Sequence, residues 1–138
     1  MPDGDTLRCT DGTRVRLLSI DTPELAQKPH GASARDALRA VAGRGTRLTL
    51  ETDVRERDRY GRILAYAYDS DGRMLNEEMA RAGYAVALVY PPNVRHEARI
   101  RAAVAEARAQ GRGLWATDGF VCAPRDYRAG RCSGKGRR

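Results

Sequence analysis

Apolar positions along the chain fall into short alternating runs first and into helical spacings later. Thr6 to Thr10 reads as a short strand, Asp11-Gly12 as a two-residue hairpin turn, and Thr13 to Ile20 as the returning strand. Alternate side chains of a strand point to opposite faces, which puts Arg16, Leu18 and Ile20 on one face and Leu17, Ser19 and Asp21 on the other. Pro29, His30 and Gly31 mark a loop over residues 27–34. Ala34, Ala37, Leu38 and Val41 then follow the i, i+3, i+4, i+7 spacing of an amphipathic helix, ending near Gly43 or Gly45. Residues 46–52 and 63–68 alternate as half-buried strands on either side of a charged loop at 54–59. Leu75, Met79 and Ala82 mark a short helix closed by Gly83. Tyr84 to Tyr90 is strand-like until Pro91-Pro92-Asn93 breaks it. Ile100, Ala103, Val104 and Ala107 define a last helix, stopped by Gly111 or Gly113, and Trp115 is expected to pack back onto the core. Strands crowded early and helices late indicate an α+β fold. Five short, strongly turned strands with about three helices at the edges suit a small five-stranded OB-fold β-barrel.

Composition divides the chain in two. A length of 138 residues is enough for one domain with a single core, assigned to residues 1–116. The formal charge is +7, but residues 125–138 carry six basic residues and one acid, so most of the surplus lies in a basic, flexible tail assigned to 117–138. A cationic face on the body must therefore be local. No apolar run is long enough to span a membrane, and Met-Pro-Asp-Gly-Asp is not a signal peptide. Three cysteines are too few for a disulfide scaffold and form no metal box. Cys9 is expected to be buried, whereas Cys122 and Cys132 could close a small ring in the tail if the compartment is oxidising.

The stretch with chemical promise is Arg16-Leu17-Leu18-Ser19-Ile20-Asp21-Thr22-Pro23-Glu24, an apolar strand with an arginine at its head and two carboxylates at its end. Asp21-Thr22-Pro23-Glu24 can be read simply as a helix start, with Asp as cap, Pro soon after and Glu at the third position. A hairpin centred on Asp11-Gly12, however, carries Asp5 alongside the end of the same strand. Asp5, Arg16, Asp21, Glu24 and Arg62 together are poorly explained as turns and solvated charges. His30 and His96, the only histidines, are not assigned to catalysis.

Six segments in order carry a resemblance: Asp3-Gly4-Asp5-Thr6, Arg16 to Glu24, Asp58-Arg59-Tyr60-Gly61-Arg62, Asn76-Glu77, Val89-Tyr90-Pro91-Pro92-Asn93 with His96-Glu97, and Leu114-Trp115. The chain resembles the staphylococcal nuclease (thermonuclease) family from about residue 3 to 116. The resemblance implies an OB-fold barrel, usually a secreted protein, and a calcium-dependent phosphodiesterase acting on DNA and RNA, single-stranded or frayed, as a monomer. It implies that Asp5 and Asp21 bind calcium with the Thr22 carbonyl. It places Glu24 beside the attacking water and Arg16 and Arg62 on the scissile phosphate. Arg59, Tyr60 and Tyr90 would lie near the bound nucleotide.

The chemistry explains those residue types. Calcium takes oxygen ligands in irregular geometry, and an arginine fork can meet two phosphoryl oxygens while staying protonated. A non-catalytic OB module that grips nucleic acid is the alternative, but such a binder gains nothing from three carboxylates that repel phosphate. Two departures from the family pattern stand out. The family usually has a full strand leading into Asp-Gly-Asp-Thr, and here the chain begins almost at the motif. Either the true start lies upstream or the barrel lacks part of its first strand, which would leave an unpaired sheet edge. Leu88 stands where relatives carry a tyrosine, which weakens stacking on that side.

Overall fold

The computed structural model describes residues 3–132, so residues 133–138 of the basic tail lie outside the described residues. Eleven elements follow one another. They are β1 (Thr6–Arg8), β2 (Arg14–Leu17), β3 (Ile20–Asp21), α1 (His30–Val41), β4 (Thr49–Arg57), β5 (Ile63–Tyr68), α2 (Leu75–Arg81), β6 (Val86–Ala87), α3 (Glu97–Ala109), a 3-10 turn (Gly113–Ala116) and α4 (Pro124–Arg128). Four strands make one sheet in the order β1-β2-β5-β4, and β3 and β6 pair separately. β1–β2 and β4–β5 are antiparallel, whereas β2 and β5 run parallel, with Arg16 opposite Leu64.

The fold is α+β of the OB type, but the sheet is open rather than a closed five-stranded barrel. Among the described residues β1 and β4 each have one strand neighbour. Only three residues of β1 pair, and a cleft of about 1030 Å³ separates it from β4, lined by Leu7, Cys9, Ala42, Leu48 and Leu50 and by Arg8, Arg39, Arg44 and Arg47. Among the described residues β1 thus presents an unpaired edge, and Cys9 lies half-buried along it rather than buried.

The core sits between the sheet and the helices. Val15, Leu17, Ile20, Leu38, Ala65, Tyr66, Met74, Leu75 and Ile100 are all fully buried. Asn76, at the start of α2, is also fully buried and ties three elements together. Its amide nitrogen donates to the carbonyls of Leu18 (2.8 Å) and Ala65 (3.2 Å), and its oxygen accepts from the Ala67 amide (3.0 Å). Those bonds hold the end of β2, the middle of β5 and the short helix in one register.

Three local expectations change. The strand predicted over 13–20 is broken, because Ser19 sits at φ 69° and turns the chain out of β2 into β3. Simple alternation fails there, and Leu17 through Thr22 are all buried. The charged segment predicted as a loop at 54–59 mostly continues β4, with a register shift between Thr52 and Arg57. Leu114, not Trp115, enters the core. The half-buried indole packs on Phe120, with ring centroids 4.5 Å apart, beneath the Arg108 guanidinium.

Past Ala116, the segment read from sequence as a flexible tail contains α4 and a Cys122–Cys132 disulfide. The Cα separation of 5.9 Å suits such a bridge.

Candidate active site

The β1–β2 hairpin does what its turn implied. Thr6 pairs with Arg16, and the Leu17 amide donates to the Asp5 carbonyl, so Asp5 comes to rest beside the turn that delivers Asp21. One terminal nitrogen of Arg16 lies 3.5 Å from Asp5 and 3.7 Å from Asp21 and donates to the Ile20 carbonyl at 2.9 Å. The left-handed Ser19 is what brings that carbonyl and Asp21 back toward the arginine. Thr22 donates both its amide and its hydroxyl to Asp5, each at 3.2 Å. It therefore fixes the orientation of Asp5 as well as lying next to Asp21 in the chain.

The electrostatics of this corner are crowded. Burial and the neighbouring Asp5 charge push the Asp3 carboxyl up to about 6. Burial also works against ionised Asp5, but the Arg16 charge and hydrogen bonds from Asp3, Thr22 and Thr6 outweigh it and hold that carboxyl below its ordinary value. Asp21, 1% exposed, is raised by burial despite its arginine neighbours. Buried carboxylates this close together make a site that attracts positive charge.

Glu24 stands at the rim. Its amide donates to the Gln27 side chain at 2.9 Å, and its carboxylate remains 39% exposed. Gly31, at the start of α1, lies against this loop so closely that a Cβ there would meet the Glu24 carbonyl oxygen at 2.1 Å. A side chain at 31 would push Glu24 outward.

A groove of about 770 Å³ runs away from the carboxylates, and Arg16, Arg59, Tyr60, Arg62, Leu88 and Tyr90 all line it. Arg62 is aimed by Asp58, which accepts its side-chain nitrogen at 2.7 Å and its amide at 2.9 Å. Tyr60 and Tyr90 are largely exposed, at 57% and 63%. The Arg59 and Arg62 guanidinium carbons lie 5.0 and 5.7 Å from the Tyr60 ring centroid, within cation–π range. Asn93 exchanges two hydrogen bonds with the Arg55 backbone, at 2.8 and 2.9 Å, and so pins the Tyr90–Asn93 turn to β4. The structure thus brings Asp5, Arg16, Asp21, Thr22 and Glu24 into one cluster. Arg62, Arg59, Tyr60 and Tyr90 line the adjoining groove.

Sequence reasoning missed one residue here. Arg128, from α4, grips both oxygens of Asp21 at 2.6 and 2.9 Å and reaches Glu24 at 3.3 Å. These charge-assisted bonds hold its guanidinium protonated well above the usual arginine range. Nothing in the spacing of a basic tail marks one of its six cations for this position. Asp58 and Asn93 were legible only as parts of motifs, and their orienting roles follow from contacts across strands.

Among the described residues, no group of three or more His, Cys, Asp or Glu is arranged to hold a metal ion. The donor set at Asp5 and Asp21 consists only of oxygen, the chemistry a hard divalent ion requires, and Asp21 already holds the Arg128 cation.

The family defined by this fold and cluster is that of the staphylococcal nuclease homologues, whose family model matches residues 14–117, and the chain belongs to it. It is 36% identical over 129 residues to the SPbeta prophage-derived endonuclease YokF of Bacillus subtilis, covering 86% of this chain and 43% of that protein. Endonuclease YncB of the same organism is also 36% identical over 129 residues, with 60% of its length covered. The thermonuclease of Staphylococcus hyicus is 35% identical over 121 residues, covering 82% of this chain and 70% of the relative. The chain thus spans about half the length of the two Bacillus relatives.

Proposed function

We propose that this chain is a calcium-dependent nuclease that hydrolyses phosphodiester bonds of DNA and RNA, preferring single-stranded or frayed substrate. One observation carries the reading: two buried carboxylates bridged by Arg16 stand beside the exposed Glu24, at the head of a groove that also presents Arg62. The endonuclease names of the relatives support it.

In this reading Asp5, Asp21 and the Thr22 carbonyl hold the cation. When bound, calcium would polarise a phosphoryl oxygen and help orient water. The remaining work belongs to the side chains. Arg16 and Arg62 donate to the phosphate oxygens, where charge builds as water attacks, and Asp58 keeps Arg62 aimed. Glu24 accepts the proton of the attacking water, a role worth roughly 10²–10⁴-fold. Tyr60, with Arg59 against its ring, and Tyr90 flank the nucleotide. No group in the groove is dedicated to a sugar 2′-hydroxyl, so discrimination between DNA and RNA is expected to be poor.

Glu24→Gln tests the reading, because it keeps the shape of an exposed side chain and removes the proton acceptor. Cleavage of a fluorescent single-stranded oligonucleotide should require calcium and fall at least about a hundredfold in the variant, with an unchanged circular dichroism spectrum. Intact oligonucleotide binding without cleavage by the folded wild type would instead make this a non-catalytic OB-fold binding module.

A further inference from the structure

Resting on the calcium reading above, we propose that Arg128 is a built-in competitor for the cation, a tethered plug whose seating is set by the Cys122–Cys132 bridge. The geometry is specific. The guanidinium fork uses both oxygens of Asp21, at 2.9 and 2.6 Å, and its first nitrogen also meets the Glu24 carboxylate at 3.3 Å. Asp21 is 1% exposed with the fork seated on both of its oxygens. A divalent ion and this fork cannot both claim those oxygens. The same guanidinium also meets one Glu24 oxygen, so the plugged form has its cation site occupied and its proton acceptor engaged at one oxygen.

The plug is delivered by a closed ring. Residues 122–132 form a loop sealed by the disulfide, with α4 and Arg128 inside it. Cys122 and Pro124 are buried, and the Cys122 carbonyl accepts from the Gln27 side chain at 3.3 Å. Gln27 is also the residue whose oxygen takes the Glu24 amide. One glutamine therefore ties the ring to the loop that carries Glu24. Within the ring, Arg131 closes on Asp126 at 2.9 Å, away from the cluster. A tethered ligand competes at an effective concentration set by its tether, commonly millimolar for short connections. Apparent calcium affinity then falls in proportion to the unplugged fraction.

Opening the ring needs a dithiol reductant. One reductant thiolate attacks the part-exposed Cys132 sulfur, the S–S bond breaks, and Cys122 leaves as a thiolate. The second reductant thiol resolves the mixed disulfide and releases Cys132. Two electrons pass to the pair, each cysteine gains a proton, and the reductant departs as its own disulfide. The arm beyond Cys122 is then free at one end, and Arg128 spends less time on Asp21.

Calorimetric titration of the full chain with calcium, without nucleic acid, tests this directly. Arg128→Gln should bind calcium at least about tenfold tighter than the oxidised wild type. The dithiothreitol-reduced chain and Cys132→Ser should fall between them. Arg125→Gln, which removes the same charge from the same helix without a contact to the cluster, should leave affinity within twofold. Reduction should have no effect in Arg128→Gln. Equal affinities for wild type and Arg128→Gln, or an equal gain from Arg125→Gln, overturn the plug in favour of no competition or of general charge. The Arg128 guanidinium proton resonances supply a readout that does not depend on calcium binding. They should exchange slowly in the calcium-free chain and be lost on adding calcium. If no form binds calcium, including Arg128→Gln, the calcium reading fails and the competition with it; slow guanidinium exchange would then report the ion pair alone.

Discussion

The molecule builds two clusters in which carboxylates meet arginine and satisfies them to different degrees. On β4 and β5, Glu51 and Asp53 meet Tyr66, Tyr68, Arg95 and His96. At the turn from β2 to β3, Asp5, Asp21 and Glu24 meet Arg16 and Arg128, with Asp3 against Asp5. In the first cluster each carboxylate is met by short hydrogen bonds. The Tyr66 hydroxyl donates to Asp53 at 2.7 Å and the Arg95 amide at 3.0 Å, while Tyr68 donates to Glu51 at 2.7 Å. Burial opposes the Asp53 charge, but these donors overcome it and lower its pKa; at Glu51 the Tyr68 hydroxyl is the main cause of the same direction. In the second cluster burial and mutual repulsion win at Asp3 and Asp21, which are raised. A satisfied network stabilises the fold, whereas the crowded one leaves two of its carboxyls raised even with two arginines against it.

The sharpest way to break the comparison is Arg16→Lys. Lysine keeps the charge but cannot span two acceptors with a planar fork. Cleavage of a single-stranded oligonucleotide should fall by about 10²–10³-fold, the usual cost of losing one aimed donor. A variant within fivefold of wild type would remove Arg16 from the site. The converse substitution is Tyr66→Phe in the other cluster. It deletes a buried hydroxyl and leaves Asp53 short of a donor, which should cost about 1–3 kcal/mol in urea denaturation. Turnover under folding conditions should be unchanged.

The smallest expected effect is a difference in pH slope. Asp3 has a folded value of about 6, above its unfolded one, so its charged form opposes folding at neutral pH and that penalty fades as pH falls through 6 toward 4. Asp53 and Glu51 have folded values below their unfolded ones. Their contribution is complete above the ordinary carboxylate range and is lost only as pH drops through those lowered values. Asp3→Asn should therefore be more stable than wild type at pH 7, with the gap narrowed at pH 5 and closed only below about pH 4. Both chains should lose stability further below pH 4. Urea midpoints at pH 7, 5 and 3 measure this, and a gap as large at pH 3 as at pH 7 would contradict the assignment to Asp3.

Local patterns carried a good deal of this molecule. Asp11-Gly12 announced the hairpin, and the hairpin placed Asp5 next to the end of β2. The spacing of Ala34, Ala37, Leu38 and Val41 announced α1, although the helix begins earlier, at His30. The i, i+4 pair Asp58 and Arg62 was visible as a motif, but not the hydrogen bonds that aim the arginine. These features depend on contacts within a few residues, or across one tight turn, and neighbouring residue types decide such contacts.

Three features needed the folded chain. The open sheet arises because β1 and β4 are brought near each other without a strand to pair between them, which is a matter of spatial neighbours. The break at Ser19 was read as continuous strand, because Leu17, Leu18 and Ile20 favour extended backbone. Burial of the whole Leu17–Thr22 segment, pinned by Asn76 on Leu18, overrides that preference. Arg128 reaches Asp21 across more than a hundred residues. Among six basic residues of one tail, only the disulfide ring and its seat on Gln27 single out that side chain. Charge type and local geometry are properties of the sequence; which charge meets which depends on chain closure, and so on the tertiary structure.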